Sequence, residues 1–397
     1  MYRLLLRRPQ VRFKSNYPLV QIEELRTHTL RSGETATIPM RDYYEWETMP
    51  DIMKRERFFT ARNPSLASTM EDLVLYDPIV THCIANWLLV DYKLNAYPYY
   101  DLNIVNVFTD VQQAVRIVQS MMSYFQSALS RNMFERIKYF IVPLYSDHVM
   151  VTEEQLTGIP GDVRLVENAA LFPPNGSNMS MDKPFSIEDP VYVLLLNDII
   201  KNLSHDLVEY SDSIHKWSQA FMDIHADGTS TKRFDTDMDF WCSYTLKMTL
   251  GQDKNNVGQS KTGIHIPTRL VQLFEMIKLC APEHKLFAID IPQRWEPSLW
   301  SMIKFLLGGG PAPTSQIAGN NLGRKSAHFI SDFTQVQQIY SEVNERGKYC
   351  EIQDLSEFVD QWVDLGEVEK YSSATKDRLD AQLETIQCSN LGVLHST

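Results

Sequence analysis

The residues best placed to do chemistry are Asn197 and Asp198, which directly follow the apolar run from Val191 to Leu196. A run of that length suits a strand buried on both faces of a parallel sheet. Open sheets of this kind place ligand-contacting residues just beyond a strand's carboxyl end. A carboxylate and an amide there can hold a cationic substrate group or a cofactor amine. Either residue can also N-cap a helix beginning at Ile199, and the two roles are compatible. A second candidate is the turn from Phe108 to Gln113, between a segment Leu102 to Val107 that reads as a buried strand and a helical pattern with Val115, Val118, Met122, Phe125 and Leu129 on one face. A strand-to-helix turn in that position is where α/β domains hold a cofactor, using glycines for close approach. This turn has none, and neither does anything from Glu34 to Thr157.

Other chemistries lack support. The loop from Gly319 to Ser326 puts three residues between its glycines and Arg324 before Lys325. A phosphate loop needs four and an immediate lysine, so an exposed turn is the reading. Cys280 and His284 are separated by Pro282 and have no further ligand nearby, whereas a metal needs three or four. Cys280 reads as core and His284 as surface. No G-x-S-x-G elbow occurs, and the five cysteines (Cys83, Cys242, Cys280, Cys350 and Cys388) form no C-x-x-C pair, which argues against a disulfide framework.

The elements that must position these residues are those of an α/β protein. The range 19–61 reads as a short helical lead-in, and 65–94 as an amphipathic helical region with Ile79, Cys83, Ile84, Trp87 and Leu88 on one stripe. After the central unit, Ile137 to Leu144 reads as a strand with Pro143 near its end, and Leu207 to Tyr210 and Ala220 to Ile224 as further strands. The polar stretch 225–263 reads as a partly mobile insertion. Helix Thr268 to Cys280 leads to strand Leu286 to Ile291, and a late helix begins at Leu355.

The first twenty residues hold Arg3, Arg7, Arg8, Arg12 and Lys14 and no acid, the signature of a mitochondrial transit peptide. Without those five positive charges the net charge moves from −12 to −17. Such a body is a poor partner for nucleic acid. No apolar run approaches the roughly 18 residues that span a bilayer.

The segment Tyr192 to Ser204 resembles the post-strand motif of MidA-type mitochondrial proteins, with Asn197 matching and Asp198 standing for glutamate. Lys201 and Ser204 depart from that motif. Trp217 to Ile224 is similar to the family's tryptophan-led strand, Ala288 to Pro292 to its aspartate-bearing strand end with Asp290 kept, and Ser331 to Thr334 to its late aspartate-phenylalanine motif. The stretch Gln353 to Leu365 is like its C-terminal helix. These blocks are colinear over most of residues 20–370.

The resemblance implies an S-adenosylmethionine-dependent protein arginine methyltransferase of class I fold, linked to respiratory complex I assembly. It implies a Rossmann-like, mostly parallel sheet with a helical N-terminal region and insertions. The boundaries are 1–18 transit peptide, 19–95 helical region, 96–371 α/β domain with the polar insertion 225–263, and 372–397 polar tail. By the resemblance, Asn197, Asp198 and Asp290 are the catalytic candidates, with Asp198 orienting a guanidinium and Asp290 lining the pocket.

The departures fall on the cofactor site. Asn106, Phe108, Asp110 and Gln112 stand where the family has an acid and alternating glycines, and Pro143 where it has a ribose-binding acid. The family's N-terminal glycine-tyrosine-tyrosine signature is missing as well. The expectation is therefore a mitochondrial matrix pseudo-methyltransferase that binds a protein partner and no cofactor, with Phe108 packed into the ligand's space. The alternative is an active enzyme that binds S-adenosylmethionine in a remodelled pocket.

Overall fold

Continuous apolar runs make the inner strands. The computed structural model describes residues 35–44, 78–108, 111–144, 156–166, 171–172, 185–196, 199–200, 203–225, 229–250, 263–290, 316–318, 328–330, 332–372, 374–389 and 391–396. Strands β2 (Leu102–Phe108), β3 (Ile137–Pro143), β4 (Asp162–Leu165), β5 (Val191–Leu195) and β10 (His284–Asp290) run parallel. The sheet is completed by β13 (Cys350–Asp354) and β14 (Gly392–Ser396), in the order β13-β14-β10-β5-β2-β3-β4, with β14 antiparallel to both its neighbours. Every residue of β2 and β5 is buried, as the run-length reading expects of strands covered on both faces.

Because strand side chains alternate in direction, each strand feeds two cores. Leu102, Ile104, Phe108, Tyr139, Leu194 and Phe287 pack beneath α1 (Pro78–Asn95), α2 (Val111–Ala128), α7 (Leu355–Trp362), α8 (Leu365–Tyr371) and α9 (Lys376–Gln387). Val105, Val107, Val193 and Leu195 pack on the other face against α4 (Phe240–Leu250), α5 (Thr268–Cys280) and α6 (Phe333–Val343). A single helical turn, α3 (Arg131–Phe134), precedes β3, and β11 (Gln316–Ala318) forms a two-stranded sheet with β12 (His328–Ile330). Helix α1 carries the expected stripe but also buries Val80, Thr81, His82, Ala85 and Leu89. It is enclosed on most sides because α2 and α7 to α9 pack around it, not merely laid on the sheet.

A second, antiparallel sheet is made of β1 (Thr35–Pro39), β6 (Asp206–Ser211), β7 (Lys216–His225), β8 (Ser230–Asp235) and β9 (Ile264–Ile266). Strand β7 pairs with β6 as far as Gln219 and with β1 from Phe221 onward, while β8 covers its opposite edge. Strands β1 and β6 therefore follow one another along the same edge of β7.

Three expectations need correction. Within the lead-in read as helical, 35–39 is a strand, because its alternation of threonine with apolar residues suits an edge pairing better than a helix. The stretch 225–263 contains β8 and α4, with Trp241 and Cys242 buried, so its polar composition reflects one solvated face. The stretch 372–397 is no tail: α9 occupies it, and β14 lies inside the sheet between β10 and β13.

The fold also buries His205 and His284 and half-buries His265. Burial lowers His205 and His284 to about 3 and His265 to about 4, helped respectively by His265, Lys348 and Lys232. Depressed pKa values mean that the unfolded chain takes up protons first. The stability these groups contribute is complete above the unfolded value near 6.5 and is lost as pH falls, by up to about 1.4 kcal/mol per pH unit for each histidine. We expect the urea midpoint to drop markedly between pH 7 and pH 5; an unchanged midpoint would contradict the burial of these rings.

Candidate functional site

The direction in which strands are added reverses between β2 and β5. From β2 the chain goes outward to β3 and β4 through α2 on one face; from β5 it goes to β10 through α5 on the other. The two crossovers diverge, and they leave a crevice at the carboxyl ends of β2 and β5, where such sheets bind ligands. Phe108 ends β2 opposite Pro143 of β3, and the Leu144 amide donates to the Phe108 carbonyl at 2.8 Å. Leu196 continues β5 and is buried, and Asp290 ends β10. Helix α2 starts three positions after Phe108 and has no acid in its first turn, so its positive dipole end sits at this edge.

The candidates from the sequence are placed as follows. Asn106 lies between Ile141 and Leu194 and is 1% exposed. Burial pushes the neighbouring Tyr139 phenol far above its usual range, opposed by a hydrogen bond with Asn106. Phe108 is also 1% exposed and belongs to the core beneath α2, with Ile104, Ala114 and Ile117. Its burial agrees with the packed ring anticipated from the sequence. The ring, however, fills the core and does not line the crevice. Asp290 is 1% exposed and stands two positions past the Ala288–Leu195 pair, opposite Gly392. With β5 between them, the ends of β10 and β2 are two strand spacings apart, about 10 Å. Asn197, Asp198 and Asp110 lie outside the described residues, as do the side chain of Gln112, the loop 319–326 and the segment 1–18. His284, read as surface, is 2% exposed: its Nδ1 lies 2.7 Å from the Ala281 carbonyl, and Lys348 Nζ donates to its own carbonyl at 2.8 Å. Among the described residues no group of three His, Cys, Asp or Glu side chains could hold a metal ion.

A buried charge network beside the crevice was missed entirely. Arg41, on the helical turn that follows β1, donates from Nη1 to Asp206 at the start of β6, and from Nη2 to Asp239 at 2.9 Å. Its Nε lies 3.4 Å from Asp42, and Asp42 pairs at 3.0 Å with Arg269 in the first turn of α5. Gln219 donates to Asp206 and Asp239, and Asp239 caps α4 by accepting from the Cys242 amide at 2.9 Å. Burial alone would lower the Arg41 guanidinium, but Asp206, Asp239 and Asp42 together hold it well above the usual arginine range. Burial raises Asp206 against the pull of Arg41, whereas Arg41, the Cys242 amide and Gln219 outweigh burial at Asp239 and lower it. Partners 165 and 227 positions apart leave no spacing signal in a sequence. Only the adjacent opposite charges at Arg41 and Asp42, following an apolar strand, hinted at them.

The crevice fits S-adenosylmethionine on one side. The start of α2 suits an anionic ligand group such as the cofactor's carboxylate, and Phe108 packs in the core beneath α2. On the ribose side Pro143 has no side-chain acceptor, and its carbonyl accepts from the Leu171 amide at 3.1 Å, in contrast to the acid that the resemblance implies.

A family model described as "Putative S-adenosyl-L-methionine-dependent methyltransferase" matches residues 83–298. A Saccharomyces cerevisiae protein named "Protein arginine methyltransferase NDUFAF7 homolog, mitochondrial" is 42% identical over the full length of both chains. Among solved structures, a Burkholderia thailandensis protein described as a candidate methyl transferase, bound to S-adenosyl-homocysteine, superposes with a TM-score of 0.50 at 9% identity, covering 91% of this chain and 88% of that one. An uncharacterized protein from the same organism superposes with a TM-score of 0.51 at 10% identity, covering 91% and 87%. The two superpositions match the fold, a class I methyltransferase-like α/β sheet, and with the full-length relative and the matching family model they place the chain: it belongs to the S-adenosyl-L-methionine-dependent methyltransferase family.

Proposed function

We propose that this chain is a mitochondrial methyltransferase that transfers a methyl group from S-adenosylmethionine to an arginine of a partner protein. The observation that carries this reading is the full-length 42% identity to a relative so named. The cofactor, when bound, supplies an electrophilic methyl group. The first turn of α2 would hold its carboxylate, and Asp290 would line the crevice at β10. By the resemblance, Asn197 and Asp198 follow β5 on that same edge, where a carboxylate accepts two hydrogen bonds from a guanidinium and fixes its plane.

A second reading is favoured by specific residues. The absence of glycine from 34 to 157 and the presence of Pro143 at the end of β3 support a protein that keeps the fold and works by binding a partner. Affinity separates the two readings. One missing charge-assisted acceptor costs about 1.5–3 kcal/mol, which takes a micromolar site to roughly 10–100 μM. Calorimetry with S-adenosylhomocysteine is expected to give a dissociation constant in that range. No heat at millimolar ligand would discard the enzyme reading in favour of the second.

A further inference from the structure

We propose that Arg41 is a positioning residue for the ligand-binding edge, joining an N-terminal strand to three elements that meet there. Its place in the fold is a seam. Strand β6 holds β7 through Val208 opposite Gln219, and β1 holds it from Pro39 opposite Phe221. Arg41 lies two residues past Pro39, where one strand stops and the other starts. From that point its guanidinium reaches the first residue of β6 and the cap of α4, and through Asp42 it is tied to the first turn of α5. The Arg269 amide faces the Ser204 carbonyl at 3.4 Å, two residues before β6. Ser204 is thus held by the Arg269 main-chain amide and Asp206 by the Arg41 guanidinium, at the start of β6. Arg41 and Asp206 are fully buried, and the carboxylates are shared with Gln219, so the geometry is determined from several directions at once.

Strand β1 has a second, separable attachment. Ile38 packs with Leu207, Ala220, Met222 and Ile224 in a small apolar cluster. That allows the positioning role to be told apart from plain stability. A lysine at 41 keeps the charge but loses the planar fork that serves Asp206 and Asp239 together. Ile38→Ala loosens the same strand and leaves the ion pairs intact.

The inference uses the proposed reading only for its ligand, and the experiment separates the two. Arg41→Lys and Asp239→Asn are expected to raise amide exchange about tenfold in 203–211 and 240–246, leaving β2 and β3 unchanged, and to weaken S-adenosylhomocysteine binding about tenfold. Ile38→Ala should lower the urea midpoint but leave that affinity as in the unsubstituted protein. If the unsubstituted protein binds no S-adenosylhomocysteine, the enzyme reading fails, and the exchange pattern still decides the role of Arg41. The proposal is overturned if the folded variants keep slow exchange in both segments. It is equally overturned if Ile38→Ala reproduces their pattern. Should Arg41→Lys not fold, Asp239→Asn, which removes one partner's charge, carries the same test.

Discussion

Deletion of Gly392–Ser396 is expected to leave a chain that does not fold cooperatively. This segment is the last strand in sequence but an inner one in space, paired antiparallel with β10 from Phe287 to Asp290 and with β13 from Cys350 to Asp354. Val393 and Leu394 point into opposite cores and are fully buried, and Leu391 just before them is 1% exposed. Burying an apolar side chain of that size contributes about 1.5–3 kcal/mol. Losing two of them, with β13 left without a partner strand and one edge of β10 uncovered, therefore approaches the whole net stability of a domain, about 5–15 kcal/mol. Ser396 adds a polar tie, accepting from the Leu286 amide at 2.8 Å. Circular dichroism and urea unfolding of the chain lacking Gly392–Ser396 should show no cooperative transition. A truncated chain with an unchanged midpoint would mean that β14 is dispensable, and the order of the sheet would need revision.

Phe108→Ala carries the next largest effect. The ring is 1% exposed in the core under α2, and truncating a buried phenylalanine costs about 3–5 kcal/mol, through lost transfer energy and the cavity left behind. The expected result is a clearly lowered melting temperature with S-adenosylhomocysteine affinity changed little, since the ring faces helix and strand side chains and not the crevice. The opposite result is informative. A loss below about 1 kcal/mol together with tighter ligand binding would place the ring in the ligand's space, as the pattern of missing glycines first suggested.

Much of the main sheet could be read from residue order alone. Strand β5 is a continuous apolar run because both its faces are covered, strands β2, β3 and β10 are apolar over most of their length, and helices α2, α5 and α7 show buried stripes at helical spacing. Strand β14 escaped because it offers only Val393 and Leu394 in five residues, and what makes it a strand is the pair of edges that receive it. His284 escaped for the same reason: its burial is imposed by Tyr340 and Lys348, brought from far along the chain.

For the site, the sequence by itself determined which strand ends bear polar residues and that glycine is absent from the first turn. Those are facts of composition at known positions. The tertiary structure alone decided that β14 lies beside Asp290 and that Arg41 links β6, α4 and α5. Each depends on contacts between residues scores of positions apart. Their geometry is set by how sheets and helices pack, and short-range spacing carries no record of it.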